Sequence, residues 1–186
     1  MPLNFPNVGI QSMSMRLKRV VAIAESPFTL DAQAFTHQGA RWQAEITLPP
    51  LDHNEARSVE GFIVGLIGRE GTFNFGNPLH TSTATATLSA EAAIRDATLT
   101  TTAGGSAVSS GTYFQLGNYL YIVTEDKASG AGTLKFQPPL RETIASGEVC
   151  DFTLPKSTWR MSSNDVGWSI SEASIYGFSF ACEEAL

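Results

Sequence analysis

The stretch from Arg41 to Pro78 constrains the fold more than any other, because its hydrophobic period changes from two to that of a helix and back again. Trp42, Ala44, Ile46 and Leu48 alternate with Arg41, Gln43, Glu45 and Thr47, the signature of a strand with one buried face. Pro49-Pro50 ends that strand, since proline brings no N–H to a ladder and restricts the residue before it. Asp52 then stands where a helix N-cap is expected, with Glu55 placed to reach back as in a capping box. Ala56, Val59, Phe62, Ile63, Leu66 and Ile67 follow at spacings of three and four, which predicts one apolar face on a helix over about residues 52–68. Gly61 and Gly65 each cost about 1 kcal/mol relative to alanine inside a helix, so a close approach by another backbone is expected there. Gly68 and Gly71 close the helix, and Thr72 to Phe75 opens a strand that Gly76-Asn77-Pro78 stops.

Upstream, Met13, Met15 and Leu17 alternate with Ser12, Ser14 and Arg16. The run Val20 to Ala24 loses the alternation, which predicts burial on both faces or a bulge. Ser26-Pro27 breaks the chain. Leu30, Ala32, Ala34 and Phe35 are then candidates for an inner face, and His37-Gln38-Gly39 reads as a turn. Downstream, Leu79 to Gly111 is rich in Thr, Ala, Ser and Gly. Short polar strands, an extended loop and a flexible linker compete there; the strand propensity of threonine favours strands near Thr85–Leu88 and Ala97–Thr101. Tyr113 to Leu116, the turn Gly117-Asn118 and Tyr119 to Val123 form a hairpin signal, and Thr133 to Phe136 is a strand stopped at Pro138-Pro139. Alternating runs return after Asp151 and close on Tyr176, Phe178 and Phe180 along one face, with Cys182 beside them. The expected fold is mainly β: a β-sandwich with one α-helix built from residues 1–77 plus 151–186, interrupted by a small barrel-like β module at 78–150.

At 186 residues the chain suffices for one good core, or a core with a small appended domain. A net charge of −6 with only 12 Lys and Arg argues against a grip on nucleic acid phosphates. The local exception is Arg16-Leu17-Lys18-Arg19, where alternation puts Arg16 and Lys18 on the wet face of a strand. Cys150 and Cys182 lie in no C-x-x-C arrangement; buried reduced thiols are the default, with one long-range disulfide as the alternative. The N-terminus lacks the pattern of a signal peptide, and no run approaches the ~18 apolar residues of a membrane span, so a soluble protein made in the cytoplasm and without a membrane anchor is expected.

Catalytic chemistry finds little purchase. His37, His53 and His80 show no metal-ligand spacing. Asp52 and Glu55 are better explained as a cap than as an acid–base pair, and Asp165, Glu172, Glu183 and Glu184 read as solvated carboxylates. There is no G-x-S-x-G elbow and no phosphate-binding loop. No catalytic residue, metal ligand or cofactor is therefore assigned, and the chain is read as a non-enzyme. Tyr113, Tyr119 and Tyr121 are the candidate ligand contacts, since exposed aromatics stack on sugar rings, although strand alternation must send part of the aromatic set into the core.

Three segments carry a resemblance. The run W-x-A-x-I-x-L-P-P-L from Trp42 to Leu51, followed by a helix and G-T-F-x-F-G-N-P from Gly71 to Pro78, resembles tail proteins of long-tailed bacteriophages and prophages. So do Y-F-Q-L-G-N-Y-L-Y-I-V from Tyr113 to Val123 with G-T-L-K-F-Q-P-P-L-R from Gly132 to Arg141, and the closing run from Trp159 to Phe180. Within those tails the likeness is to the distal tail type. It implies a virion component of the tail tip: a helix-bearing β-sandwich that forms a hexameric ring and carries a projecting β domain. The partners it implies are further copies of the chain, the tail tube protein, the hub or baseplate proteins and the tape-measure protein, with DNA only as passing cargo. Recognition of a host-surface glycan by the inserted module is the alternative role, and another minor tail or connector position a third.

Overall fold

The computed structural model describes residues 2–78, 80–171 and 175–186, with the side chains of Thr36 and Gln38 left aside. The fold is mainly β with one helix, its sheets packed in a sandwich-like arrangement. The first sheet is assembled from both ends of the chain. It contains β1 (Leu3–Asn4), β2 (Ser12–Glu25), β3 (Ala32–Thr47) and β4 (Phe73–Phe75) from the N-terminal part. The second contains β5 (Thr85–Thr87), β6 (Thr98–Thr101), β7 (Tyr113–Leu116), β8 (Tyr119–Val123), β9 (Gly132–Gln137) and β10 (Val149–Asp151). The chain then returns to the first sheet with β11 (Ser157–Met161), β12 (Trp168–Ile170) and β13 (Tyr176–Glu184).

Strand order in the first sheet is β1-β4-β11-β13-β3-β2, with β12 also pairing with β13. The closing strand lies between elements far from it in sequence: Phe180 pairs with Ile46 of β3 and Cys182 with both Ala44 of β3 and Met161 of β11. Alternation does its expected work. Trp42, Ala44, Ile46 and Leu48 are buried, as are Phe178, Phe180 and Cys182, while their neighbours in sequence form the opposite face. Helix α1 (His53–Gly65) covers the apolar side with Ala56, Val59, Phe62 and Ile63. Its N-terminus is capped as predicted: the Asp52 carboxylate accepts from the N–H groups of Asn54 at 2.8 Å and Glu55 at 2.9 Å. The return bond from the Glu55 side chain is not formed.

Two expectations about this helix fail. Among the described residues, nothing outside the helix's own backbone comes near the position a Cβ would take on Gly61, and Gly65 meets only the side chain of Leu3, so neither glycine answers a close backbone contact. Ile67 is exposed, because the helix has already ended and residue 67 sits at φ 50° outside it. Where the chain leaves the helix, sterics require a glycine at Gly71, whose N–H bonds the Leu66 carbonyl at 2.7 Å in so tight a return that a Cβ would collide with the Leu66 backbone.

The second sheet runs β5-β10-β7-β8-β9-β6. Its first and last strands meet through an antiparallel bridge from Leu88 to Thr101, flanked by bonds from Thr102 N–H to Thr87 O and from Ser89 N–H to Thr100 O, both 2.9 Å. The sheet therefore closes on itself. Inside are Phe114, Tyr121, Phe136 and Phe152, with ring centroids 5.2–5.5 Å apart in four close pairs. The threonine-rich stretch does form strands, and it closes the barrel by pointing Ala86, Leu99 and Thr101 inward. The hairpin turn at Gly117-Asn118 is present, with Gly117 at φ 62° as a glycine-first two-residue turn demands.

The two sheets share a wall. Alternate residues of β8 face opposite ways, so Leu120 and Ile122 join the core of the first sheet while Tyr121 and Val123 join that of the second. Trp42 marks the junction, its indole N–H donating to the Leu120 carbonyl at 2.8 Å.

Candidate functional site

The candidate sugar contacts do not form one platform. Tyr121 is fully buried, its ring stacked on Phe114 and its hydroxyl accepting from the Arg141 N–H at 3.4 Å. Burial pushes its phenol pKa upward. It has no surface to offer a glycan, and its assignment as a contact is corrected here. Tyr113 and Tyr119 are half-buried on different cores: Tyr113 packs against Trp42 and His80, and Tyr119 against the barrel interior. Burial also raises the Tyr113 phenol pKa.

The histidines are held by structural partners. His53 Nδ1 and the Tyr176 hydroxyl are 3.1 Å apart, and His80 Nε2 lies 3.1 Å from the Phe152 carbonyl. His37, expected in a turn, instead lies within β3. Among the described residues no group of three His, Cys, Asp or Glu side chains is placed to hold a metal. Cys150 and Cys182 are free, buried in different cores, and burial pushes each thiol pKa up to about 12.

Sequence reading missed the carboxylates at the end of β13. Glu183 and Glu184, expected in solvent, are both buried. Glu183 receives Arg41 at 2.8 Å and Arg69 at 3.0 Å. Burial raises the pKa of its carboxyl, but these hydrogen bonds and charges outweigh burial and hold it below the ordinary value. Glu184, with a side chain fully enclosed, accepts from Arg141, in the loop after β9, at 3.0 Å and from the Trp42 N–H at 3.3 Å. For Glu184 burial wins, and its carboxyl sits above the usual range despite Arg141. Alternation around Cys182 places Glu184 on the inner face, a signal that can be read from the sequence; the partners cannot, since Arg141 is 43 positions away. Glu172 lies outside the described residues.

The surface that stands out is the far end of the β2–β3 hairpin. Val20 to Ala24, expected to be buried or bulged, is bulged and exposed: register shifts between Arg19 and Val21, and pairing then continues to Glu25 opposite Ala32. Leu30, Ala32, Ala34 and Phe35, expected on an inner face, are exposed as well. The reason is topological. Strand β13 pairs with β3 only from Gln43 to Thr47, so the hairpin beyond Ala40 projects as a two-stranded arm to which no other described strand pairs. Ile23 is 68% exposed and Phe28, at the tip, 93%. Directly paired residues share a face, so Ile23 and Ala34 lie on one side of the arm and Ala22 and Phe35 on the other. Strand β2 is also the edge of the first sheet.

At the root of the arm is a recess of about 500 Å³, lined by Lys18, Val20, Ala40, Arg41, Arg141 and Glu183 among others. Lys18 and Arg16 are exposed on the wet face as alternation requires, with Arg16 3.6 Å from Glu45. No family model matches the chain, and no curated protein matches it. No described helix is long and apolar enough to cross a membrane.

Proposed function

We propose that this chain is a structural, non-enzymatic component of a long-tailed phage tail tip, assembling into a ring that joins the tail tube to the hub or baseplate. The observation that supports this reading is the projecting arm. A two-stranded hairpin with apolar side chains on both faces gains nothing from solvent, and a long open edge strand is a template for another chain. Natural proteins blunt such edges with charge, proline, bulges or a covering element; Arg16, Lys18, Arg19 and the bulge do so near the root, but beyond it the edge presents Val21 and Ile23.

The ring is six-membered on the strength of the resemblance, with the tail tube, hub and tape-measure proteins as neighbours and DNA as passing cargo. Its location is the virion, after assembly in the host cytoplasm. Negative-stain microscopy and protein composition of purified tails test the reading. A ring at the tube–tip junction containing this chain is expected; a strictly monomeric protein absent from purified tails would sink it.

A further inference from the structure

We propose that the tip of the arm of one copy seats in the recess at the root of another copy's arm. This rests on the self-assembling reading above and names its contact. The tip is apolar and acidic: Phe28 and Leu30 are 93% and 72% exposed, and Glu25 and Asp31 flank them. It is also fixed in shape. The Ser26 N–H donates to the Asp31 carbonyl and the Leu30 N–H to the Ser26 carbonyl, each at 2.9 Å.

Leu30 is held at φ 59°. A leucine in the left-handed region costs of order 1 kcal/mol, and a side chain left mostly exposed offsets little of that within the chain. A shaped, strained, apolar knob is what a socket elsewhere would repay.

The recess has the complementary character. Arg41 and Arg141 line it already paired with Glu183 and Glu184, which leaves the exposed Lys18 as the cation turned to an incoming acid, over an apolar surface from Val20 and Ala40. Its volume of about 500 Å³ is in the range that takes a compact ligand of several apolar groups. Tip and recess cannot meet within one molecule. They lie at opposite ends of the paired arm, from Arg19–Ala40 to Glu25–Ala32, roughly 20 Å apart at strand rise. The contact joins two different patches, so it is head-to-tail, the geometry that closes into rings when the rotation permits. A membrane is the poorer occupant, because Glu25 and Asp31 beside the apolar tip would be repelled by an anionic surface.

Charge exchange tests the contact in the full chain. Glu25→Lys/Asp31→Lys makes the tip basic, and Lys18→Glu makes the recess more acidic; all three positions are exposed, so unchanged circular dichroism is expected. Sedimentation velocity should show each variant alone associating at least about tenfold more weakly than wild type. An equimolar mixture of the two should recover association, since every altered tip then has an altered recess to enter. A photo-crosslinking residue at position 28 should label residues 18–20 or 39–43 of another copy. Association that ignores both variants, or crosslinks that map elsewhere or only to added anionic vesicles, overturns the tip–recess contact while leaving the ring reading to its own test. A wild type that stays monomeric at every concentration also overturns it, and absence from purified tails then removes the ring reading too.

Discussion

The six strands around Phe114 close through the Leu88–Thr101 bridge and leave no long edge, whereas the seven strands around Trp159 end at β2 with 14 residues unpaired on the outer side. Both sheets have aromatic cores and both bury their apolar residues. The difference lies in where backbone pairing stops. In the second sheet a threonine-rich stretch with little apolar bulk supplies the closing strands; in the first, an apolar hairpin runs past the last strand available to cover it. One region closes its backbone pairing within the chain, and the other leaves a long edge strand open.

The sharpest way to break this contrast is to ask whether the regions fold apart. Trp159 is fully buried in the first, with its indole N–H bonded to the Phe75 carbonyl at 2.8 Å, and Phe114 is fully buried in the second. Truncating either to alanine should cost about 3–5 kcal/mol. Because β8 serves both cores, both variants should shift one shared denaturant transition; two separate transitions, each sensitive to one variant, would show that the wall does not couple them.

The junction itself comes next. Arg141→Ala strands the enclosed Glu184 carboxylate and should cost about 3 kcal/mol at neutral pH, read from the same unfolding curves. The loss should shrink in acid, since a protonated Glu184 no longer needs its cation.

A smaller effect distinguishes the outer face of the open sheet. Glu183 has a folded-state pKa below its ordinary 4.5. Its contribution is therefore fully present above that value and is lost as pH falls through the folded pKa. Glu183→Gln should lower stability at pH 7 and flatten the acid side of the stability profile, as measured by thermal unfolding from pH 7 to 3. A variant whose acid slope matches wild type would remove Glu183 from the account.

The smallest effect is expected on the arm. Ile23→Ser, at a position 68% exposed, should change stability by no more than about 0.5 kcal/mol. A loss above 1 kcal/mol in the monomer would mean that the arm is already packed, and that the open sheet is complete after all.

Much of this was legible in the residues. The period-two runs at Trp42–Leu48 and Tyr176–Cys182 marked inner faces correctly because every second side chain there meets the same core. Asp52 announced the helix because capping is local. What failed was what depends on distant chain. Leu30, Ala34 and Phe35 look like core residues until one knows that β13 stops pairing at Gln43. Glu183 and Glu184 look like solvent groups until Arg41, Arg69 and Arg141 arrive from three other segments. Tyr121 reads equally well as a displayed ring or a buried one, and only barrel closure decides. The arm, as the candidate site, was therefore visible as an apolar strand pair but not as a projection.

Strand β3 has a further consequence, a mechanical one. Its 16 residues form one rod of roughly 50 Å, with the tip turn at one end and the pairing with β13 at the other. Trp42, whose indole holds the Leu120 carbonyl of the barrel wall at 2.8 Å, lies along that rod near the arm's root. A push on the tip is thus a torque about the root, delivered where the two sheets are fastened, and the lever is built of backbone ladder rather than of side-chain contacts.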